Sequence, residues 1–181
     1  FFHNHGLLNV TDRPNWYVIE GGSKTYVKAL TDSFKDKIRL STPVTAVKRD
    51  KEAVVVTSAK GEERYDAVFF ACHSDQALRL LEQPTELERQ VLDAIKYQEN
   101  EVLLHTDASI LPKRKRAWAA WNYHLLAGGK GQVPVTYNMN ILQGISSEQT
   151  FCVTLNNSTA IDPAKILKRL QYHHPIYTQE S

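Results

Sequence analysis

The sequence predicts a mixed α/β fold in which a partial parallel sheet with helices is followed by an antiparallel sheet. Between residues 16 and 82, short apolar runs alternate with helical patterns, and strands that alternate with helices favour a parallel sheet. Beyond residue 83, a helix is followed by several strands with short links, which are typical of an antiparallel sheet. We therefore predict a lead-in segment at 1–15, one domain part at 16–82 and a second domain at 83–181.

The composition is that of an ordinary globular protein. With 42% hydrophobic and 23% charged residues over 181 positions, the chain can bury a core. A formal net charge of +2 gives no basic face large enough to predict a nucleic acid partner. No apolar run approaches the ~20 residues that cross a bilayer, so we predict a cytoplasmic protein with no transmembrane segment. Cys72 and Cys152 each lie in an apolar run, which favours buried free thiols over a disulfide.

Two pairs of closely spaced histidines and one basic run raise the question of metal or phosphate binding. His3 with His5, and His173 with His174, have no matching further ligands nearby, so we predict no metal site. The basic run Lys-Arg-Lys-Arg occupies 113–116. We expect a solvated turn there, and contact with a phosphate or an anionic surface is the alternative.

A glycine pair opens the first helix. The apolar residues 16–19 fit a buried strand, and Gly21 and Gly22 follow it, then Ser23 as a helix cap. Glycines permit positive φ angles and let the backbone approach another chain or a flat ligand, and a helix N-terminus favours anions. The pair lacks the G-x-G-x-x-G spacing of a dinucleotide turn. We expect the buried side of the helix to carry Tyr26, Val27 and Leu30.

A proline places the next strand at an edge. We predict a strand at residues 38–47, interrupted by Pro43. Because proline cannot donate to a ladder, this strand should lie at a sheet edge or bend at Pro43, and leave the backbone groups of Val44 free. A hairpin is predicted over 53–65. The continuously apolar run 67–72 predicts a strand covered on both faces.

Helices and strands alternate less regularly in the second half. Ser74 or Asp75 caps one predicted helix, and Thr85 caps another that runs to about Tyr97. Strands are then predicted at 101–106, 117–125, 133–139 and 150–155. The chain closes with a predicted helix at 162–170, where an aspartate cap is followed by proline at the first helical position.

Aromatic residues alternate along two of these strands, which predicts a shared face. They are Trp118, Trp121, Tyr123 and Tyr137. Such a face suits an apolar or cationic small-molecule substrate, and the alternative is that the rings fill the core. Asn138 lies among them and either orients a ligand by hydrogen bonds or ends its strand. His105 and His124 lie inside strands, where a structural role is expected.

Together, these turns and strands resemble the middle of the FAD-dependent amine oxidase superfamily, which includes monoamine oxidases, phytoene desaturases and protoporphyrinogen oxidases. Within it, the chain is most similar to the bacterial proteins described as predicted NAD/FAD-binding proteins. The similarity runs almost end to end. The segments that carry it are HNHGLL, RPNWYVIEGGSKTYV, FACHSDQAL, LLHTDASILPKRKRAWAAWNY, VTYNMNILQ and YHHPIYT.

The resemblance implies roles for five residues at the FAD cofactor. Val44 corresponds to the residue whose backbone contacts the adenine end of FAD. Ala71 and Cys72 correspond to a stretch that passes near the nucleotide, and Gly21 and Gly22 to a turn that approaches the flavin. The alternative for each of them is packing alone. On this resemblance the antiparallel sheet is the substrate side.

The resemblance also predicts a fragment. The sequence contains neither the G-x-G-x-x-G turn that holds the pyrophosphate nor the C-terminal segment that closes over the flavin in this superfamily. We therefore expect the central part of an FAD-dependent oxidoreductase, which partners the remainder of its own chain and is inactive alone. The alternative is a non-enzymatic binding or scaffold domain that keeps the fold without the cofactor. No side chain stands out as a catalytic acid or base.

Overall fold

The computed structural model describes residues 6, 9–12, 14–15, 17–125 and 134–179. The predictions made for His3, His5 and the start of the 16–19 strand therefore lie outside the described residues. The chain divides into two compact units, Phe1–Ser41 and Thr42–Ser181. The predicted boundary between residues 82 and 83 stays a prediction.

The first unit contains one helix, α1 (Lys24–Thr31), and a short 3-10 turn at Lys35–Lys37. Ser23 precedes α1 as predicted, although its side chain makes no capping hydrogen bond. The predicted buried side of α1 is wrong within this unit, because its apolar residues remain solvent-exposed. These residues are Tyr26, Val27 and Leu30. Residues 17–19, predicted as strand, pair with no strand among the described residues.

The second unit opens with a three-stranded antiparallel sheet of β1 (Val44–Arg49), β2 (Val54–Ser58) and β3 (Gly61–Tyr65), in the order β1-β2-β3. The predicted hairpin is therefore confirmed as β2 and β3. The predicted edge position is confirmed too, since β1 begins directly after Pro43 and lies at the side of the sheet.

Two helices follow, α2 (Ser74–Leu80) and α3 (Glu86–Ala94). The cap of α2 is His73, one residue before the predicted caps. Thr85 caps α3 as predicted and forms a capping box, in which its hydroxyl accepts from the Glu88 amide at 3.2 Å and the Glu88 carboxylate accepts from the Thr85 amide at 2.7 Å. The helix ends at Ala94, earlier than predicted, because the next residues pair as a strand.

That strand starts a five-stranded antiparallel sheet in the order β5-β6-β7-β4-β8. Its strands are β4 (Lys96–His105), β5 (Trp121–Tyr123), β6 (Val135–Asn138), β7 (Cys152–Leu155) and β8 (Ile166–Ile176), and a short helix α4 (Met139–Gln143) joins β6 to β7. The predicted antiparallel sheet and the mixed helix and strand class are confirmed. The centre of this sheet is the core, where Val102, Leu103 and Cys152 are fully buried.

The closing helix predicted at 162–170 is wrong. Asp162 does cap the Ala164 amide at 3.0 Å, and Pro163 is the first residue of a 3-10 turn, but that turn ends at Lys165. Residues 166–176 instead form β8, which pairs with β4 along its length. The local cap signal was correct, and the long-range pairing with β4 overrode the helical pattern beyond it.

The parallel sheet is not seen in the described residues. Both sheets are antiparallel, and parallel pairing there is limited to one bridge between Val47 and Leu81. Residues 67–72 are not assigned as strand, because this run has no ladder partner in the described part of the chain. For the same reason Cys72 is exposed and not buried, whereas Cys152 is buried, and both thiols are free. None of the described helices is both long enough and apolar enough for a transmembrane span.

Candidate functional site

Three aromatic side chains meet on one face of the five-stranded sheet. Trp121 is the cross-strand partner of Tyr137, and their rings lie edge to face, with centroids 6.1 Å apart at 79°. Tyr123 lies two residues along β5 from Trp121 and so points to the same side. The exposed fractions are 48% for Trp121 and 65% for Tyr123, while Tyr137 is half-buried. We call these three residues the aromatic wall.

Burial at the wall affects the Tyr137 hydroxyl. Desolvation raises its pKa, and Tyr123 nearby raises it further. The hydroxyl therefore stays protonated across the physiological range and remains a hydrogen-bond donor. The wall can thus offer the exposed rings of Trp121 and Tyr123 and the hydroxyl of Tyr137 to a molecule that lies against the sheet.

The other two predicted substrate residues do not lie on this wall. Trp118 precedes β5, and its indole N–H donates to the carbonyl of Pro112 at 2.7 Å. Asn138 adjoins Tyr137 on β6, so its side chain points to the opposite face, where it is 1% exposed and accepts from the Ile141 amide at 3.3 Å. That contact caps α4. A substrate role for either residue stays a prediction.

The opposite face of the sheet holds a buried hydrogen-bonded network. It links two histidines through two threonine hydroxyls. At one end, His124 Nε2 lies 2.9 Å from Thr136 Oγ1, which lies 2.8 Å from Thr154 Oγ1. At the other end, Thr154 Oγ1 lies 2.8 Å from His105 Nε2. The Asp107 amide donates to His105 Nδ1 at 3.1 Å. His105 therefore carries its hydrogen on Nε2 and donates it to Thr154.

Both histidines of this network are neutral. Burial lowers the pKa of His105, and the nearby Asp107 carboxylate only partly opposes it. Burial alone lowers the pKa of His124. The hydrogen bonds of these two histidines confirm the structural role expected for them. Their link through Thr136 and Thr154 depends on strand register, which a local sequence pattern does not show.

Asp107 fixes two loops beside this network and was missed by sequence reasoning. Its carboxylate is 2% exposed and accepts from the Asp162 amide at 2.9 Å, the Ser109 amide at 3.1 Å and Lys165 Nζ at 3.2 Å. Burial raises the pKa of this carboxyl, but these donors outweigh it and hold the pKa well below its usual range. The signal in the sequence was an aspartate two residues before Ser109, typical of a turn cap.

Val44, the predicted adenine contact, starts the edge strand β1. It pairs with Ser58 on one side and is 39% exposed, and the register shifts between Val44 and Ala46. A shift of this kind bends a strand at the sheet edge. The structure thus places Val44 at an exposed, irregular strand start.

Gly21 and Gly22, in the first unit, form a tight turn. Their φ angles are 77° and 79°, and the Gly22 amide donates to the Ile19 carbonyl at 2.9 Å. A Cβ on Gly21 would lie 2.9 Å from Thr25 Cγ2, whereas a Cβ on Gly22 would meet nothing within 4 Å. The turn itself explains the glycines, and the space over Gly22 leaves its backbone accessible.

Ala71 and Cys72 end the apolar run 67–72, and both are exposed. The next residues are firmly anchored. His73 stacks on Tyr97 with centroids 4.3 Å apart at 8°, and the Ser74 amide donates to the Tyr97 hydroxyl at 3.0 Å. The exposed end of this run is therefore held at a fixed position beside the start of β4.

An apolar cavity of about 490 Å³ lies between the three-stranded sheet, the 67–72 run and helices α2 and α3. Val47, Phe70, Leu81 and Val91 contribute to its lining. Its rim carries an ion pair in which the two terminal nitrogens of Arg49, Nη1 and Nη2, donate to the Glu88 carboxylate at 2.5 and 2.8 Å. The Arg49 hydrogen bond is the main reason that the pKa of Glu88 falls to about 2.

The family model described as flavin containing amine oxidoreductase matches residues 4–130, more than half of the chain. The chain therefore belongs to the flavin-containing amine oxidoreductase family. Membership implies flavin adenine dinucleotide as the cofactor of the full-length protein.

Solved structures share the fold at low sequence identity. A fatty acid isomerase from P. acnes that produces CLA matches at 12% identity and a TM-score of 0.56, over 85% of this chain and 40% of that one. A candidate protoporphyrinogen oxidase from Exiguobacterium sp. 255-15 matches at 13% identity and a TM-score of 0.55, over 98% of this chain and 46% of that one. A triple mutant of putrescine oxidase with redesigned cofactor binding matches at 14% identity and a TM-score of 0.51, over 80% of this chain and 32% of that one.

The chain spans less than half the length of each of these structures. Comparison with curated proteins gives no match.

Proposed function

We propose that this chain is the central part of an FAD-dependent oxidoreductase. It supplies a backbone contact at the adenine end of the cofactor and the sheet against which the substrate lies. The observation that carries the proposal is the exposed start of the edge strand β1 at Val44, in a chain of a flavin-containing family. When bound, the flavin supplies the redox chemistry by accepting a hydride or its equivalent from a C–N or C–C bond.

The adenine contact is supported by the chemistry of the strand start. Pro43 has no N–H, so the strand ladder begins only at Val44, and β1 has a sheet neighbour on one side at this point. An adenine ring can be recognised by one backbone amide and one carbonyl along such an edge. Ala71 and Cys72, exposed at the end of the 67–72 run, are proposed to pass near the nucleotide, and Gly21 and Gly22 to approach the flavin.

The aromatic wall is proposed as the substrate surface. Trp121 and Tyr123 expose about half or more of their surface, and aromatic faces bind apolar and cationic groups. Within the described residues no strongly activated acid or base lies beside the wall, which suits a reaction whose difficult step is carried by the flavin.

We propose that the remainder of the full-length chain packs against the apolar cavity beside α2 and α3. Phe69 is almost fully exposed, and Leu87 and Val91 of α3 are also largely exposed. Clustered exposed apolar groups of this size usually mark an interface. We propose that further chain packs here and completes the cofactor site, so that residues 1–181 alone are inactive.

The test is FAD affinity of the full-length protein carrying Val44→Pro. This change removes the backbone donor at residue 44, and we expect FAD binding to weaken about tenfold or more, because one acceptor on the cofactor loses its partner. Flavin fluorescence titration measures the affinity. Val44→Ala is the matched control, since it shortens the side chain and keeps the amide.

FAD affinity equal in Val44→Pro, Val44→Ala and the parent protein would contradict the adenine contact. A melting scan of each protein shows whether the edge strand still folds. A loss of affinity in Val44→Pro with an unchanged melting temperature supports the contact.

A further inference from the structure

Positive charge is concentrated in one stretch of this chain. Residues 108–147 contain five basic residues and no aspartate or glutamate. Four of the five form the run 113–116. Because the whole chain has a formal net charge of only +2, the remainder is net acidic.

The basic run is held in a closed loop. Residues Lys115–Ala117 form a 3-10 turn, in which the Ala117 amide donates to the Arg114 carbonyl at 2.8 Å. The Trp118 indole N–H then reaches back to the carbonyl of Pro112 at 2.7 Å and closes the loop. We call residues 112–118 the basic loop. Its charges are therefore presented on an ordered turn.

The charges of the basic loop are not neutralised by the protein. In the part of the chain that the structure describes, none of the four forms an ion pair, whereas Arg49, Arg79 and Arg169 each pair with a carboxylate. All four basic side chains are exposed. Four unpaired cations on one short turn attract an anionic surface strongly.

Trp118 adds an amphipathic group beside these cations. It is half-buried and lies next to Lys115, whose Nζ is 5.8 Å from the ring centroid. Tryptophan beside lysine and arginine is typical of segments that lie at the interface of a lipid bilayer, where the ring meets the headgroup level and the cations meet anionic lipids. Single-stranded nucleic acids are usually bound in a basic groove lined with several stacking rings, whereas the basic loop contains one ring, Trp118.

We propose that the basic loop docks the full-length protein on a membrane surface that contains anionic lipids. The cations contact the headgroups, and Trp118 lies at the headgroup level. This inference stands apart from the proposed flavin chemistry, because it rests on the loop and its charges alone.

The test is co-sedimentation of the full-length protein with vesicles of phosphatidylcholine, with and without phosphatidylserine. We expect binding only to the vesicles that contain phosphatidylserine, and added salt should release it. Four simultaneous changes, Lys113→Gln, Arg114→Gln, Lys115→Gln and Arg116→Gln, should weaken that binding by about three orders of magnitude, since each cation near an anionic membrane strengthens binding about fivefold.

The matched control neutralises four exposed lysines elsewhere in the chain, with the same change of net charge. They are Lys35, Lys37, Lys48 and Lys51. This control should bind close to the parent protein. Equal binding of the loop variant and the parent, or loss of binding in both variants, would overturn the proposal.

Two measurements keep the test decisive if the loop variant does not fold. The parent protein should lose vesicle binding as the salt concentration rises. Equal binding of the parent protein to vesicles with and without phosphatidylserine would overturn the proposal without any variant. Binding of the parent to a single-stranded oligonucleotide, sensitive to the loop changes and without vesicle binding, would also overturn it in favour of nucleic acid.

Discussion

His105 and His124 lie at the two ends of the hydrogen-bonded network, and the buried sheet face holds both in the neutral form. The sequence identifies each of them as a strand histidine with a structural role. It does not reveal the full role of Asp107, because two of its donors, the Asp162 amide and Lys165 Nζ, belong to residues that only the folded loops bring close to it. The role of a single residue is therefore predictable where a local motif describes it, and not where it depends on strand register or on contacts between distant loops.

The lowered pKa of both histidines predicts that acid destabilises the fold. Above an ordinary histidine pKa of about 6.5, both side chains are neutral in the folded and unfolded states, and the network contributes fully. As the pH falls below that value, the unfolded state takes up protons first, so stability is lost. We expect the melting temperature of the full-length protein to fall between about pH 7 and pH 5.

His124→Gln should reduce this pH dependence, because one of the two histidines that protonate on unfolding is removed. His173→Gln is the control, since His173 lies on the exposed strand β8. Melting temperature against pH is the measurement. A pH dependence unchanged by His124→Gln, or reduced equally by the control, would show that the network does not hold a neutral histidine.

Among the elements, those with a complete local signal were predictable. The hairpin β2–β3, the edge strand β1 and the Thr85 cap of α3 each follow from residues close in sequence. Strand β8 was not, because the Asp162 cap and Pro163 describe only one turn. The rest is decided by pairing with residues of β4 that lie 61 to 80 positions earlier in the chain. The aromatic wall was largely predictable, since three of the four predicted rings, Trp121, Tyr123 and Tyr137, share one face. Trp118 precedes β5 and does not lie on this wall.

The capping box gives a prediction for α3. Thr85→Ala removes the hydroxyl that accepts from the Glu88 amide, and we expect it to cost about 1 kcal/mol of unfolding free energy. Urea denaturation measures this cost. Thr85→Ser keeps the hydroxyl and should remain close to the parent protein. Equal destabilisation by serine and alanine would mean that the Thr85 methyl group, and not the cap, stabilises the helix.

For the whole molecule, the family and the mixed helix and strand class were predictable. Several short segments, each weakly specific by itself, occur along the chain in the order that the family shows. The parallel sheet was not observed in the described residues, since the 67–72 run lacks a ladder partner there. The matched solved structures are more than twice as long as the part of them that this chain covers. The exposed apolar residues around α3 agree with a chain whose packing continues beyond these residues.

The most direct test of the flavoenzyme assignment is the visible absorption spectrum of the purified full-length protein, with the released cofactor quantified against protein. We expect a yellow protein that holds about one FAD per chain, as for other proteins that bind this cofactor in a single site. A full-length protein that stays colourless and retains no FAD after incubation with an excess of it would contradict the account.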